Sequence, residues 1–385
     1  MRILHTSDWH LGRIFQNIHL TDDQAYVLEQ IKSIARERSV DVIVVAGDIY
    51  DRAVPPPEAV RLLDDTLYAL LLDLKIPVIM IAGNHDSPDR LSFGSRLFNC
   101  HGLHLSGTLQ YPLSPTIISD SYGPIAFYAV PYAETALVRE KSGCQEIREH
   151  NDAMGVIVNS LQDTTPTTAR RILCGHAFVQ GGITQESERP ICIGGSGSVD
   201  TKQFDGFTCT LLGHLHRPQW FKNSIIHYSG SILPYSFSEA DHIKSVSIID
   251  IDANGKISSE YVPLIPKHAV RCIDGMLSEI ITNGSSDSSP EDYLLIRLLD
   301  TEPILDAIGK LRMVYPNVLQ IERPGLESLI REETRNSIDH RKVSDEDLFA
   351  AFFSQTTGTA LTDPQIDFFA SIMQKVRRKE REANT

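Results

Sequence analysis

The first hundred residues alternate short apolar runs with longer stretches of helical period. Arg2–Thr6, Asp41–Ala46 and Pro77–Ala82 read as strands, the second of them apolar enough to be buried on both faces. Between the first two, Thr21 to about Arg38 sets Val27, Leu28, Ile31, Ile34 and Ala35 on one helical face, and Thr21 with Gln24 has the spacing of a capping box. The prolines at 55–57 open a second helix with apolar residues at Val60, Leu63, Leu67, Leu70, Leu71 and Leu74. The β-α-β-α-β order predicts a parallel sheet with helices packed on it.

Beyond residue 100 the runs shorten. Strands are expected at Ile117–Ile118, Ile125–Val130, Arg171–Cys174, Thr208–Leu212, Ile225–Tyr228, Val246–Ile251 and Ile257–Val262, with one helix from about Gln145 to Leu161. They predict a second sheet packed on the first. The fold class is therefore α/β, a two-sheet sandwich flanked by helices. The segment Pro263–Lys267 reads as a boundary. After it, strands at Ala269–Ile273, Tyr293–Leu299 and Val318–Glu322, with helices near Leu277–Ile281 and Ile304–Val314, predict a small α+β unit. From about Pro324 the chain turns to polar, helix-forming segments with smaller apolar faces at Leu348–Phe353 and Ile366–Met373. The expected division is 1–265, 268–325 and 326–385.

Composition narrows the class without choosing the chemistry. Of 385 residues, 42% are hydrophobic and 22% charged, the balance of a soluble globular chain. The opening residues read as a strand rather than a signal peptide, and runs such as Val40–Ala46 are too short to cross a bilayer, so a cytoplasmic protein is expected. Six scattered cysteines without a C-x-x-C pair suit buried thiols in a reducing compartment. A formal charge of −14 argues against coating nucleic acid through the overall field. It leaves room for a carboxylate site whose divalent cations reverse the local sign.

Five short motifs fall where apolar strands end: Asp8-Trp9-His10, Gly47-Asp48-Ile49-Tyr50-Asp51, Gly83-Asn84-His85-Asp86, Gly175-His176 and Gly213-His214-Leu215-His216. In an α/β protein that edge is where ligands collect. Asp8 and His10, like His214 and His216, are two apart and point the same way from extended backbone. Asp48 can bridge two cations with its two oxygens, Asn84 offers a carbonyl oxygen, and His176 another imidazole. Mixed nitrogen and oxygen donors without thiolate suit Mn, Fe or Zn better than Ca or Mg. Two such ions about 3.5–4 Å apart can activate water and clamp both oxygens of a phosphoryl transfer. One motif alone would be weak; all five in order, each at a strand end, make a strong signal.

The ordered set resembles the calcineurin-like metallophosphoesterase superfamily. With Met1–Gly12, Val44–Asp51, Ala82–Ser87, Leu212–Arg217 and Tyr228–Ser231, it resembles most the superfamily's bacterial SbcD branch, the nuclease subunits of SbcCD complexes. The resemblance implies Asp8, His10, Asp48 and His216 on one metal, and Asp48, Asn84, His176 and His214 on the other, with manganese preferred. It implies His85 as proton donor to the leaving oxygen, Asp51 as the acid that orients it, and Arg52 as a phosphate contact, although Ala53 departs from the Asp-Arg-Gly form. It further implies a 3′–5′ exonuclease on duplex ends and an endonuclease on single strands and hairpins, in DNA repair, replication and recombination. The implied assembly is a homodimer within a heterotetramer, gated by an SbcC-like ATPase, with residues 268–325 as capping domain and 326–385 as the partner-binding segment. A small-molecule phosphodiesterase, or a scaffold without catalysis, would use the same fold.

The remaining features read more plainly. Nine of the fourteen histidines, His5, His104 and His227 among them, lie outside the motifs and suit structural or solvent-facing places. Trp9 suits a wedge in its loop, Gly194–Ser198 lacks the Lys-Ser/Thr of a P-loop, and Lys375–Arg381 has too few companions to define a DNA groove.

Overall fold

Arg2–Thr6 (β1) lies at the centre of a six-stranded sheet, which is why its residues are apolar on both faces. In the computed structural model, which describes residues 1–162, 170–191, 197–221, 225–302, 304–324, 349–350, 353–354 and 360–383, β1 is followed by a helix at Thr21–Glu37 (α1) and a strand at Val42–Ala46 (β2). A helix at Pro57–Tyr68 (α2) and strands at Val78–Ile81 (β3) and Leu103–Ser106 (β4) complete the parallel run β1-β2-β3-β4. Val42 and Val44 face the second sheet, whereas Ile43 and Val45 meet the helices, the alternation of a strand covered on both sides.

The second sheet contains Thr116–Asp120 (β5), Gly123–Val130 (β6), Arg170–His176 (β7), Cys209–Gly213 (β8), Gln219–Phe221 (β9) and Ile226–Tyr228 (β10). Its order is β9-β10-β8-β7-β6-β5, with β6, β7, β8 and β10 parallel. Ile3, Val42, Val44 and Ile79 of the first sheet meet Phe127, Ile172, Cys174 and Leu211 of the second in one dry layer. The second sheet's outer face is covered by helices at Thr135–Ser142 (α3) and His150–Gln162 (α4).

Four sequence expectations are corrected. The strands Ser245–Ile251 (β11) and Ile257–Pro263 (β12) join the first sheet, where β11 pairs antiparallel to β1 with Arg2 opposite Asp250. Their apolar pattern fixes burial but not which sheet they enter. The single helix expected from Gln145 starts instead at His150, because the Asp152 carboxylate accepts the N–H groups of Arg148 and Glu149 and caps the turn before it. α3 was not anticipated. In α2 the broad leucine face splits: Leu63 and Leu70 are buried, Val60 is 44% exposed, and the helix widens into a π-turn over Ala69–Asp73.

Val270–Gly275 (β13), Tyr293–Leu298 (β14) and Val318–Glu322 (β15) form a three-stranded parallel sheet packed by helices at Leu277–Gly284 (α5) and Ala307–Arg312 (α6). It meets α1 through Tyr293 and His268, both hydrogen-bonded to the Asp23 carboxylate at 2.9 and 2.8 Å. A final helix spans Asp363–Ala383 (α7). Among the described residues no helix is long and apolar enough to cross a membrane. The glycine-rich run at 194–198 and the apolar face at 348–353 lie largely outside the described residues, and so do the side chains of 375–381.

Candidate metal centre

The carboxyl ends of β1, β2, β3, β7 and β8 converge on one edge of the sandwich, and each carries one motif. The loops that follow are bent hard. Asp8, His10, Asp48 and His214 have φ of 52°, 46°, 49° and 105°, in a region L-residues seldom occupy. Strain of that kind persists only where surrounding contacts over-determine it, and it concentrates at functional sites. Asp8 N donates to Gly47 O and His10 N to Asp48 O, so the first two loops hold one another. Gly213 allows the closest approach, since a Cβ there would lie 1.9 Å from Ala46 O.

The side chains form one buried cluster. Asp8, His10 and His216 offer atoms within 4.8 Å of one another, and so do Asp8, Asp48 and His176, and His10, Asp51 and His85. Asp48 Oδ2 lies 3.7 Å from His10 Nε2, 3.6 Å from His176 Nε2 and 3.9 Å from His85 Nε2, the central position expected of a bridging carboxylate. Asn84 Oδ1 is 2.9 Å from His176 Nε2, and the His214 ring is 5.5 Å from that of His176. All nine residues singled out from sequence therefore lie together, from Asp8 to His216.

The donor set fits cations. His176 Nδ1–H donates to Ala46 O, which leaves Nε2 as a lone pair facing the oxygens of Asn84 and Asp48. His216 Nε2 faces His10 Nε2 at 3.1 Å, and His10 Nδ1 is buried without a hydrogen-bond partner. Burial, and then the charge of Asp48, pushes the Asp8 carboxyl well above the usual carboxylate range. Burial lowers His10 and His214 well below the ordinary imidazole value, and lowers His216 too, so these rings stay neutral and able to ligate. Lone pairs and two carboxylates converging in a dry site call for divalent cations.

Two side chains depart from expectation. His85 Nδ1 is 2.8 Å from the main-chain oxygen of Asp51, whereas the Asp51 carboxylate is engaged by Arg13 at 2.7 Å and approaches His10 Nδ1 at 3.6 Å. Asp51 thus meets His85 through its backbone. Arg52 is exposed on the same loop. Trp9 is fully buried, with its indole N–H on Thr6 Oγ1 at 2.9 Å, wedged behind the ligand loop.

Known proteins match this arrangement. A family model described as calcineurin-like phosphoesterase matches residues 1–218, and a second, described as type 5 capsule protein repressor C-terminal domain, matches 266–357. The SbcD subunit of the SbcCD nuclease from Staphylococcus epidermidis is 33% identical over 380 residues, 99% of this chain and all of that one. Its namesake from Staphylococcus saprophyticus is 35% identical over 373 residues, 97% of this chain and 98% of that one. The chain belongs to the SbcD branch of the calcineurin-like phosphoesterases.

An SbcD-type centre here depends on residues that sequence reasoning passed over. Gln24 does not cap α1, whose start has no side-chain cap; its amide donates to His10 O at 2.7 Å and Trp9 O at 3.1 Å and accepts from Gly12 N at 3.1 Å. Asp86 gathers the N–H groups of Ile49, Tyr50 and Gly83, and burial, then the Asp48 charge, pushes its carboxyl up to about 7. Ser187, Glu188, Glu239 and Lys244 surround His216. Asp86 had a visible signal, as the last residue of its motif. For the others only the three-dimensional structure supplies one.

Proposed function

We propose that the chain is the nuclease subunit of an SbcCD-type complex and hydrolyses DNA phosphodiesters with two divalent cations, manganese preferred. The observation that carries the reading is the central place of Asp48, whose Oδ2 lies within 4 Å of nitrogens from three motif histidines. Asp8, His10, Asp48 and His216 would hold one ion, and Asp48, Asn84, His176 and His214 the other. When bound, the ions polarise the phosphoryl oxygens and supply a nucleophile near neutral pH. His85 stays on the open side of Asp48, its ring fixed by Nδ1–H on the Asp51 carbonyl, and its Nε2 delivers the proton to the departing oxygen. Asp51 steadies both partners, His85 through its carbonyl and His10 through its carboxylate.

The relatives' names support DNA as substrate and an SbcC-type ATPase as partner. We divide the chain into a nuclease unit at 1–265, a capping unit at 268–325 that shapes the DNA path, and a partner-binding segment at 326–385. That segment's helix α7 leaves Ile366, Phe368 and Ile372 exposed, and Phe369 stacks on Phe349 at 3.9 Å, an apolar face suited to helices of an ATPase. A homodimer within a heterotetramer acting in the cytoplasm completes the reading.

The test is manganese-dependent nucleotide release from linear duplex DNA by the wild-type chain and His85→Gln, each with and without the ATPase and ATP. Release by wild type, enhanced by the partner and lost in a folded, metal-binding His85→Gln, is expected. Turnover of small phosphodiesters alone, with no nucleotide released under any condition, would refute the nuclease reading.

A further inference from the structure

His85 and His176 rest their outer nitrogens on main-chain carbonyls, but His216 rests on a chain of side chains. Ser187 Oγ lies 2.6 Å from His216 Nδ1 and 2.5 Å from Glu239 Oε1. A hydroxyl has one proton, and Glu239 is the stronger acceptor, so Ser187 donates to Glu239 and must accept from His216 Nδ1–H. That leaves the Nε2 lone pair aimed at His10 and the metal cluster. The carboxylate end is itself fixed: Lys244 Nζ, 3% exposed, pairs with Glu239 Oε2, and Ser236 Oγ reaches Glu239 Oε1 at 3.0 Å.

The same groups grip the His216 backbone. Glu188 Oε1 accepts from His216 N at 2.7 Å, and Lys244 Nζ donates to His216 O at 2.9 Å. One histidine is therefore held at its N–H, its carbonyl and its ring by two separate segments, one around 187–188 and the other at 236–244. Glu239 is fully buried and Ser187 nearly so, and burying a carboxylate with an ammonium is costly unless the geometry is well satisfied. A fold that needed only packing here would be served by apolar side chains. A ligand that must present one tautomer in one orientation needs this arrangement.

We infer that Ser187, backed by Glu239 and Lys244, is a positioning residue for the metal centre: it locks His216 in the Nδ1–H tautomer and makes Nε2 a better donor to a divalent cation. The inference rests on the reading of His216 as a metal ligand. It also ties the loop that carries Ser187 to that ligand, so Arg189, two residues on, lines an open cavity of about 350 Å³ beside His214 at a fixed distance from the centre.

The test uses the full-length chain and manganese alone. Calorimetric titration with Mn²⁺ compares wild type, Ser187→Ala, Ser187→Thr and His216→Ala, and ¹⁵N NMR of the histidine rings reads the tautomer in metal-free protein. Ser187→Ala should weaken one of two manganese sites by roughly 10–100-fold with its metal-free melting temperature unchanged, and Ser187→Thr should restore most of that loss. In metal-free wild type, His216 should carry its proton on Nδ1, with a mixture of tautomers in Ser187→Ala. Wild-type affinity in Ser187→Ala while His216→Ala is weakened would overturn the positioning role and leave the metal reading standing. Wild-type affinity in both would overturn the metal reading of His216 as well. Should Ser187→Ala fail to fold, the tautomer in wild type still decides, because an Nε2–H ring at His216 refutes the inference.

Discussion

Gln24 offers the sharpest test of how the helix behind the metal loop holds it. The residue is fully buried, and its amide reaches two carbonyls and one N–H of the segment from Trp9 to Gly12. Gln24→Met keeps the length of the side chain and removes those bonds. The carbonyls each keep another donor, since Arg13 N reaches His10 O and the Tyr235 hydroxyl reaches Trp9 O. The Gly12 N–H is left facing a thioether. An orphaned buried donor costs about 1–3 kcal/mol and each lost neutral bond about 0.5–1.5, so the loop should be destabilised by about 2–6 kcal/mol. If the loss is local, hydrogen exchange of a peptide covering 8–14 in metal-free protein should accelerate by at least about 30-fold, since 1.4 kcal/mol is a factor of ten. A peptide from β14, in the separate three-stranded sheet, serves as control. Exchange at 8–14 within about threefold of wild type would refute the argument, and equal acceleration in the control would show a global rather than local effect.

Three further outcomes are expected. Asp120 receives both Arg170 amino groups at 2.8 and 2.6 Å, and that hydrogen bonding holds its carboxyl well below the usual range, so its stabilisation is complete above the unfolded value near 3.9 and is lost as pH falls through the folded one. Asp120→Asn should cost about 3–5 kcal/mol at neutral pH, and the melting difference from wild type should narrow below about pH 4; a difference that widens on acidification would contradict this. Gly213→Ala would put a Cβ 1.9 Å from Ala46 O and 2.9 Å from His176 Nδ1, so manganese binding measured by calorimetry should be lost, and retained affinity would show that the two loops can part. Manganese at 100 times its dissociation constant should add about 2.7 kcal/mol per site, seen as a rise in melting temperature that EDTA reverses and Asp48→Asn abolishes.

The centre was legible in sequence where chemistry forces ligands to sit beside the ends of strands. Asp8 with His10, and His214 with His216, declare themselves because a metal needs two donors on the same side of one extended segment. Gly47 and Gly213 are readable for a related reason, since loops this close admit no Cβ. Sheet membership was less legible: the apolar alternation of Ser245–Ile251 shows that it is buried, but only pairing with Arg2–His5 shows beside which strand. Long-range polar bonds left no local trace. Thr21 and Gln24 have the spacing of a capping box, yet Thr21 Oγ1 has no partner and Gln24 turns inward, because two buried carbonyls of the ligand loop outweigh one N–H that water at a helix end can satisfy. Asp23, the neighbouring residue, faces the other way and accepts from His268 and Tyr293 of the C-terminal unit. The first turn of α1 is therefore bonded on one side to the metal loop and on the other to the unit proposed to shape the DNA path. A cap that shifts on substrate would pull on Asp23, and the adjacent Gln24 would carry that displacement to the backbone of His10.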